Sequence, residues 1–420
     1  MSLKTPRSTG VWLSAEEAAQ ALGVRKATLY AYASRGLLTA LPDPQDPQRS
    51  RYAQDEIDRL RDGPRRGRAR EAQAVHNALY EGWPLVDTAL TGVVDGQLVH
   101  RGQPVVAWSQ QHSLEATAAL LWQVPEAAAF GPAAPRLPAL WHRTARALAD
   151  TEPVARAVTL WGLAMPGLEG GADLGGDALA AALGRHLRVA AACWWAQAPS
   201  AEPLHAQLAQ AWQLGPAQHD SLRQALVLCA DMVPNLMGLS ARMMASLQGS
   251  LAACLLSSMA YGFVRLSGGE FEAVQALFDE VQANGSLARV AAAYRARGEA
   301  LPGVNHHLFV QGDPRAAALL LLATRAGSPV GAWLAEAAGD TPLHATIDFA
   351  LVALCRALGA PRHGALVLMH LARSTGMLAQ ALEQRAQGRR MWVQSRYVGP
   401  GLAAVAGLPA AVPAGRGRRR

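Results

Sequence analysis

The stretch Asn305, His306, His307, Leu308, Phe309, Val310, Gln311, Gly312, Asp313, Pro314, Arg315 gathers polar and titratable groups in a chain that otherwise spends its length on Ala and Leu. An imidazole donates or accepts a proton near neutral pH. A guanidinium grips a carboxylate through two parallel hydrogen bonds. His306 and Arg315, nine positions apart, therefore read as half of an active site that binds a carboxylate.

The elements that must hold such groups are mostly helical. Half of the 420 residues are apolar and only 17% are charged. Few β-branched or aromatic runs occur, which favours helix over sheet. The length allows two or three domains around a large core. The net charge of +7 is concentrated in two runs, Arg65, Arg66, Arg68 and Arg70, then Arg416, Arg418, Arg419 and Arg420. These eight arginines exceed the whole excess, so affinity for a polyanion belongs near residue 70 and at the C-terminus, or the runs are a solvated linker and a frayed tail.

Cys193, Cys229, Cys254 and Cys355 are scattered without a C-x-x-C pair, which fits buried thiols in a reducing compartment and implies no metal site. The N-terminal Met-Ser-Leu-Lys-Thr-Pro-Arg lacks the apolar core of a signal peptide, and a cytoplasmic location is expected. The charge-free stretch between Arg242 and Arg265 is long enough to span a bilayer. Gln248, Gly249 and four serines interrupt it, so it is expected to be a central helix of a large helical core.

Near the N-terminus, Ser14 with Glu17 three residues on forms a capping box that starts a short helix, and Gly23 stops it. A second helix is expected from Lys26 to Arg35, closed by Gly36. A Pro-rich turn through 42–52 then returns to Arg51 and Tyr52 before a helix resumes at Asp55. This pattern resembles the winged helix-turn-helix of MerR-type regulators and excisionases. The resemblance makes Arg25, Lys26, Thr28, Tyr30 and Arg35 candidates for the major groove of DNA, and Arg49 and Arg51 candidates for the wing. A small helical cap used for protein contacts is the alternative.

Beyond a Gly/Pro/Arg linker, Asp95-Gly96 predicts a hairpin turn. The residues Val94-Asp-Gly, Arg101-Gly and Ala118-Ala-Leu-Leu-Trp122 then resemble the N-terminal hairpin and first helices of the citrate synthase family. The similarity recurs to Tyr397-Val-Gly-Pro400. It implies an all-α, two-domain helical body with a small N-terminal β-hairpin, preceded by the winged helix-turn-helix. The expected boundaries are 10–62 for the DNA-binding domain, 63–74 for the basic linker, 75–400 for the body and 401–420 for the tail. Within the body, a small subdomain is expected at about 268–355.

The resemblance also implies roles for single residues. Asp348 occupies the position of the family's proton-abstracting aspartate, while a plainer reading makes it the cap of the helix from Phe349 to Leu358. His306, Arg315 and Arg373 keep family positions for substrate contact. Met232 replaces the substrate-facing histidine of the segment Cys229-Ala-Asp-Met-Val-Pro-Asn235, and a thioether donates no hydrogen bond. Pro234 is expected to remove a backbone donor where the helix runs. Ser267 replaces the enol-stabilising histidine, or serves with Glu270 as another capping box. Asn305, in place of a glycine, can still adopt φ > 0. The family's cross-subunit Ile-Arg-Pro reads Met391-Trp392-Val393.

The two resemblances imply two functions. The first is a citrate synthase-family acyltransferase acting on acetyl-CoA or another acyl-CoA and oxaloacetate or a related oxo-acid. It would work as a homodimer, with no permanently bound cofactor and with activity weakened or altered by the loss of two histidines. The second is a DNA-binding transcription regulator whose body senses a carboxylate or CoA metabolite.

Overall fold

The computed structural model describes residues 12–34, 37–44, 46, 49–61, 86–168, 174–233, 235–264, 268–305, 309–338 and 342–392. The expectations for Arg35, the basic runs, Pro234, Ser267 and His306 fall outside the described residues. The chain divides into two compact units, 1–87 and 88–420.

In the first unit, strand β1 (Trp12–Ser14) leads into a helix at Ala15–Leu22. Both halves of the expected capping box are made: the Ser14 hydroxyl accepts from Glu17 N–H, and the Glu17 carboxylate accepts from Ser14 N–H. Gly23 ends the helix in the left-handed conformation. A second helix runs Lys26–Ser34. Strands β2 (Ala40–Pro42) and β3 (Ser50–Ala53) pair antiparallel, and β3 also pairs with β1. Ala18, Ala19, Leu29, Leu38, Tyr52 and Ile57 form the small core.

The second unit opens on β4 (Thr91–Val94) and β5 (Gln97–His100), joined by Asp95 and Gly96, both at positive φ as an Asp-Gly hairpin turn requires. A short β6 (Gln103–Pro104) completes this sheet. The rest is helical. A long helix, Gly364–Gln387, is buried along most of its length, because its neighbours Leu114–Trp122, Gly176–Trp195, Leu236–Ser246 and Leu251–Met259 surround it. A second group comprises Gly268–Asn284, Leu287–Arg297, Pro314–Arg325, Val330–Ala338 and Ile347–Leu358. The last of these packs closely on Pro314–Arg325, and the pair carries Arg315 and Asp348.

One local expectation is corrected. The charge-free stretch is two helices rather than one, because Gln248 turns to φ 63° and a side chain at Gly249 would press on the Met244 carbonyl. Among the described residues no helix is long and apolar enough to cross a membrane. Asn235 caps the next helix, its side chain accepting from Gly238 N–H.

Candidate active site

The opening loop is pinned in place before it reaches His306. Gly303 sits at φ 73°, and a Cβ there would lie 2.7 Å from Val274 and 2.9 Å from Phe349, so only glycine fits. Its N–H donates to Glu270 Oε1 at 2.9 Å, and its carbonyl accepts from Thr346 N–H at 2.8 Å. Asn305 takes the expected positive φ of 61°. Its N–H donates to the His344 carbonyl at 2.7 Å, while His344 N–H donates back to Asn305 Oδ1 at 3.1 Å. The loop is thereby stitched to the segment that launches the Ile347–Leu358 helix.

That helix is capped by Thr346, whose hydroxyl accepts from Phe349 N–H, and not by Asp348. Asp348 falls in the first turn, where its carboxyl is left for other work. Burial and the nearby Glu270 carboxylate push it up to about 6, although Arg373 and Arg315 pull the other way. A carboxyl with that affinity can change protonation near neutral pH.

Arg315 is fully buried, and most of its fork is already taken. Asp313 caps the Pro314–Arg325 helix by accepting from Arg315 N–H, then accepts from Nε at 3.1 Å and from Nη2 at 2.7 Å. The bidentate grip expected for a ligand is thus used within the chain. Nη2 also lies 3.1 Å from the Met232 sulfur, and the guanidinium sits over the Phe309 ring. Among the described residues, Nη1 lacks a partner. Arg373, buried on the Gly364–Gln387 helix, likewise has an unpartnered Nη1. Burial and the like charge of Arg315 lower its pKa, while the carboxylates of Asp231 and Asp348 oppose that shift.

The structure adds residues that sequence reasoning missed. Asp231, fully buried beside Met232, accepts from the Thr91 hydroxyl at 2.6 Å and from Gln380 Nε2 at 3.2 Å. Thr91 Oγ1 lies 3.0 Å from His100 Nδ1. Gln380 Oε1 accepts from Arg242 Nε at 2.6 Å, and Arg242 pairs with Glu383. Glu383 in turn holds Thr88 and Ala89. The one available signal was a histidine at an inward-facing position of a short strand, where period-2 alternation calls for an apolar residue. Glu270, read with Ser267 as a helix cap that falls outside the described residues, holds the Gly303 turn through its carboxylate. Among the described residues no group of three His, Cys, Asp or Glu side chains is placed to hold a metal ion.

In the first unit the candidate DNA contacts are dispersed. Arg25 and Tyr30 are exposed and Thr28 is half-buried. Lys26 pairs with Glu16, Arg49 with Asp46 at 3.2 Å and Arg51 with Asp43 at 2.8 Å.

A helical body opening on a β-hairpin, with two buried arginines and an aspartate of raised pKa, has clear relatives. Residues 79–394 match the family model described as "Citrate synthase, C-terminal domain". The chain belongs to the citrate synthase family. Curated relatives named "Putative citrate synthase 2", from Mycobacterium tuberculosis and Mycobacterium bovis, are 26% identical over 211 residues, 48% of this chain and 53% of theirs. The chain spans about half the length of the curated relatives it matches.

Among solved structures, a citrate synthase from Thermoplasma acidophilum in ternary complex with carboxymethyl coenzyme A and oxaloacetate is similar at TM-score 0.64 and 19% identity, covering 80% of this chain and 98% of that one. The Pyrobaculum aerophilum enzyme is similar at 0.65 and 17%, covering 79% and 94%. At these identities the likeness concerns the fold.

Proposed function

We propose that the body binds a carboxylate together with a CoA thioester, and that citrate formation from acetyl-CoA and oxaloacetate is weakened or altered in it. One observation carries this reading: two buried arginines, Arg315 and Arg373, each keep an unpartnered Nη1 within electrostatic reach of Asp348. A carboxylate supplies acceptors for both. The reported complex of the Thermoplasma enzyme with a CoA analogue and oxaloacetate supports the ligand class.

In this reading Asp348, once ionised, takes a proton from the acyl methyl group, and the enolate oxygen needs a donor. Met232 offers none. Ser267 and His306 are assigned the remaining donor roles. If one donor is lost, the rate falls by about 100- to 1000-fold. Full-length protein with acetyl-CoA and oxaloacetate should release free CoA thiol slowly, on a limb that rises through about pH 6 as Asp348 ionises. D348N should abolish the release. Absence of thiol with every acyl-CoA tried would overturn the catalytic part of the reading and leave binding to be measured by calorimetry.

Leu236, Met243 and Leu247 leave an apolar strip exposed on one face of the Leu236–Ser246 helix and its end, which suits a homodimer. Light scattering of M243D should then report a monomer.

A second reading, DNA recognition by the first unit, is favoured by the two short helices joined at Gly23 and by the β2–β3 hairpin beside them. The carboxylate partners of Lys26, Arg49 and Arg51 lessen the attraction to phosphate. Retarded migration of promoter fragments should disappear on deleting residues 1–72; migration that never changes would sink this reading.

A further inference from the structure

Five polar atoms around the arginine pair are buried without a partner among the described residues: His100 Nε2, Arg315 Nη1, Arg373 Nη1, Asp231 Oδ1 and His370 Nε2. Buried polar groups are ordinarily paired, so such a gathering in one neighbourhood calls for an occupant. Contacts tie His100 to the two arginines. His100 reaches Asp231 through Thr91, in steps of 3.0 Å and 2.6 Å. The next residue, Met232, touches Arg315 through its sulfur. Gly376, one turn along from Arg373, donates its N–H to the Ala230 carbonyl at 3.0 Å. The charges of Arg315 and Arg373 both act on His100, which burial holds neutral.

The network also assigns the tautomer of His100. Gln380 Oε1 is engaged by Arg242 Nε, so the amide nitrogen faces Asp231 Oδ2, which acts as an acceptor. The Thr91 hydroxyl spends its single proton on that same oxygen. What remains on Thr91 is a lone pair, and it takes the Nδ1 proton of His100. Nε2 is therefore bare and can only accept.

We propose that this site prefers a 2-hydroxy carboxylate to its 2-oxo analogue, with the carboxylate on Arg315 and Arg373 and the hydroxyl donating to His100 Nε2. A keto oxygen has no proton to give and would set lone pair against lone pair. The assignment rests on the carboxylate reading above. It gives His100 a role in ligand choice that the lost histidine at Met232, a hydrogen-bond donor in the family pattern, could not fill.

Calorimetry of the full chain with both malate enantiomers and with oxaloacetate tests it. One malate should bind about tenfold more tightly than oxaloacetate, the worth of one well-made hydrogen bond. H100F should erase that difference while keeping carboxylate binding. Equal affinities, preference for oxaloacetate, or a malate preference that survives H100F would overturn the inference alone. Failure of every carboxylate to bind would instead remove the arginine-site reading, and this inference with it. Because H100F could impair folding, imidazole 15N spectra of the unaltered protein give a second readout. The unprotonated Nε2 resonance should move with malate and not with oxaloacetate, and a resonance that ignores malate counts against the proposal.

Discussion

Arg188 and Arg373 are buried to nearly the same extent on two of the longest helices, yet their surroundings differ in kind. Arg188 Nη1 donates to the carbonyls of Gly131 and Ala133, and Nη2 donates to those of Phe130 and Ala201. Its guanidinium also lies over the Phe130 ring. Arg373 keeps Nη1 unpartnered. The first arginine staples loops to a helix. The second carries a desolvated charge with one hydrogen bond unmet among the described residues. Burial alone does not separate scaffold from site; the count of satisfied donors does.

The comparison breaks most easily on stability. R188M should cost on the order of 3 kcal/mol, because four carbonyls lose a charged donor. R373M should cost under about 1 kcal/mol, since it exchanges a buried charge with an unmet donor for an apolar side chain. Urea unfolding of both variants decides the matter, and equal losses would erase the distinction.

Asp348 sharpens it. Its folded pKa of about 6 lies above the ordinary value of 3.8, so the carboxyl favours folding only while protonated. That contribution is complete below about pH 4 and disappears as pH rises through 6. D348N should therefore match the parent protein near pH 4 and exceed it by about 3 kcal/mol at pH 8. A difference that is constant with pH would show that burial does not penalise the charge. The smallest effect belongs to the cap that leaves Asp348 free: T346A should cost about 1 kcal/mol in chemical denaturation.

Local features were legible before the fold was known. The Ser14–Glu17 box, the Asp95-Gly96 turn and the positive φ of Asn305 all depend on residues within a few positions of one another. Where two local solutions competed, sequence reasoning chose less well. Thr346 and Asp348 can both cap the same helix, and the hydroxyl won because the chain enters extended at Thr346. Asp313, two residues away, already occupies most of the Arg315 fork and leaves Nη1 for the ligand contact read from the sequence.

The sequence by itself determined the helical class, the hairpin that opens the body, the family and the positions of Arg315, Asp348 and Arg373 along the chain. Tertiary structure decided which polar atoms are satisfied. Thr91 meets Asp231 across 140 positions, and Arg242 meets Gln380 across 138. Pairings at such separations leave no periodic trace in the sequence, because they depend on how helices and hairpin pack. They alone join His100 through Thr91 to Asp231, the neighbour in the chain of the Met232 that touches Arg315.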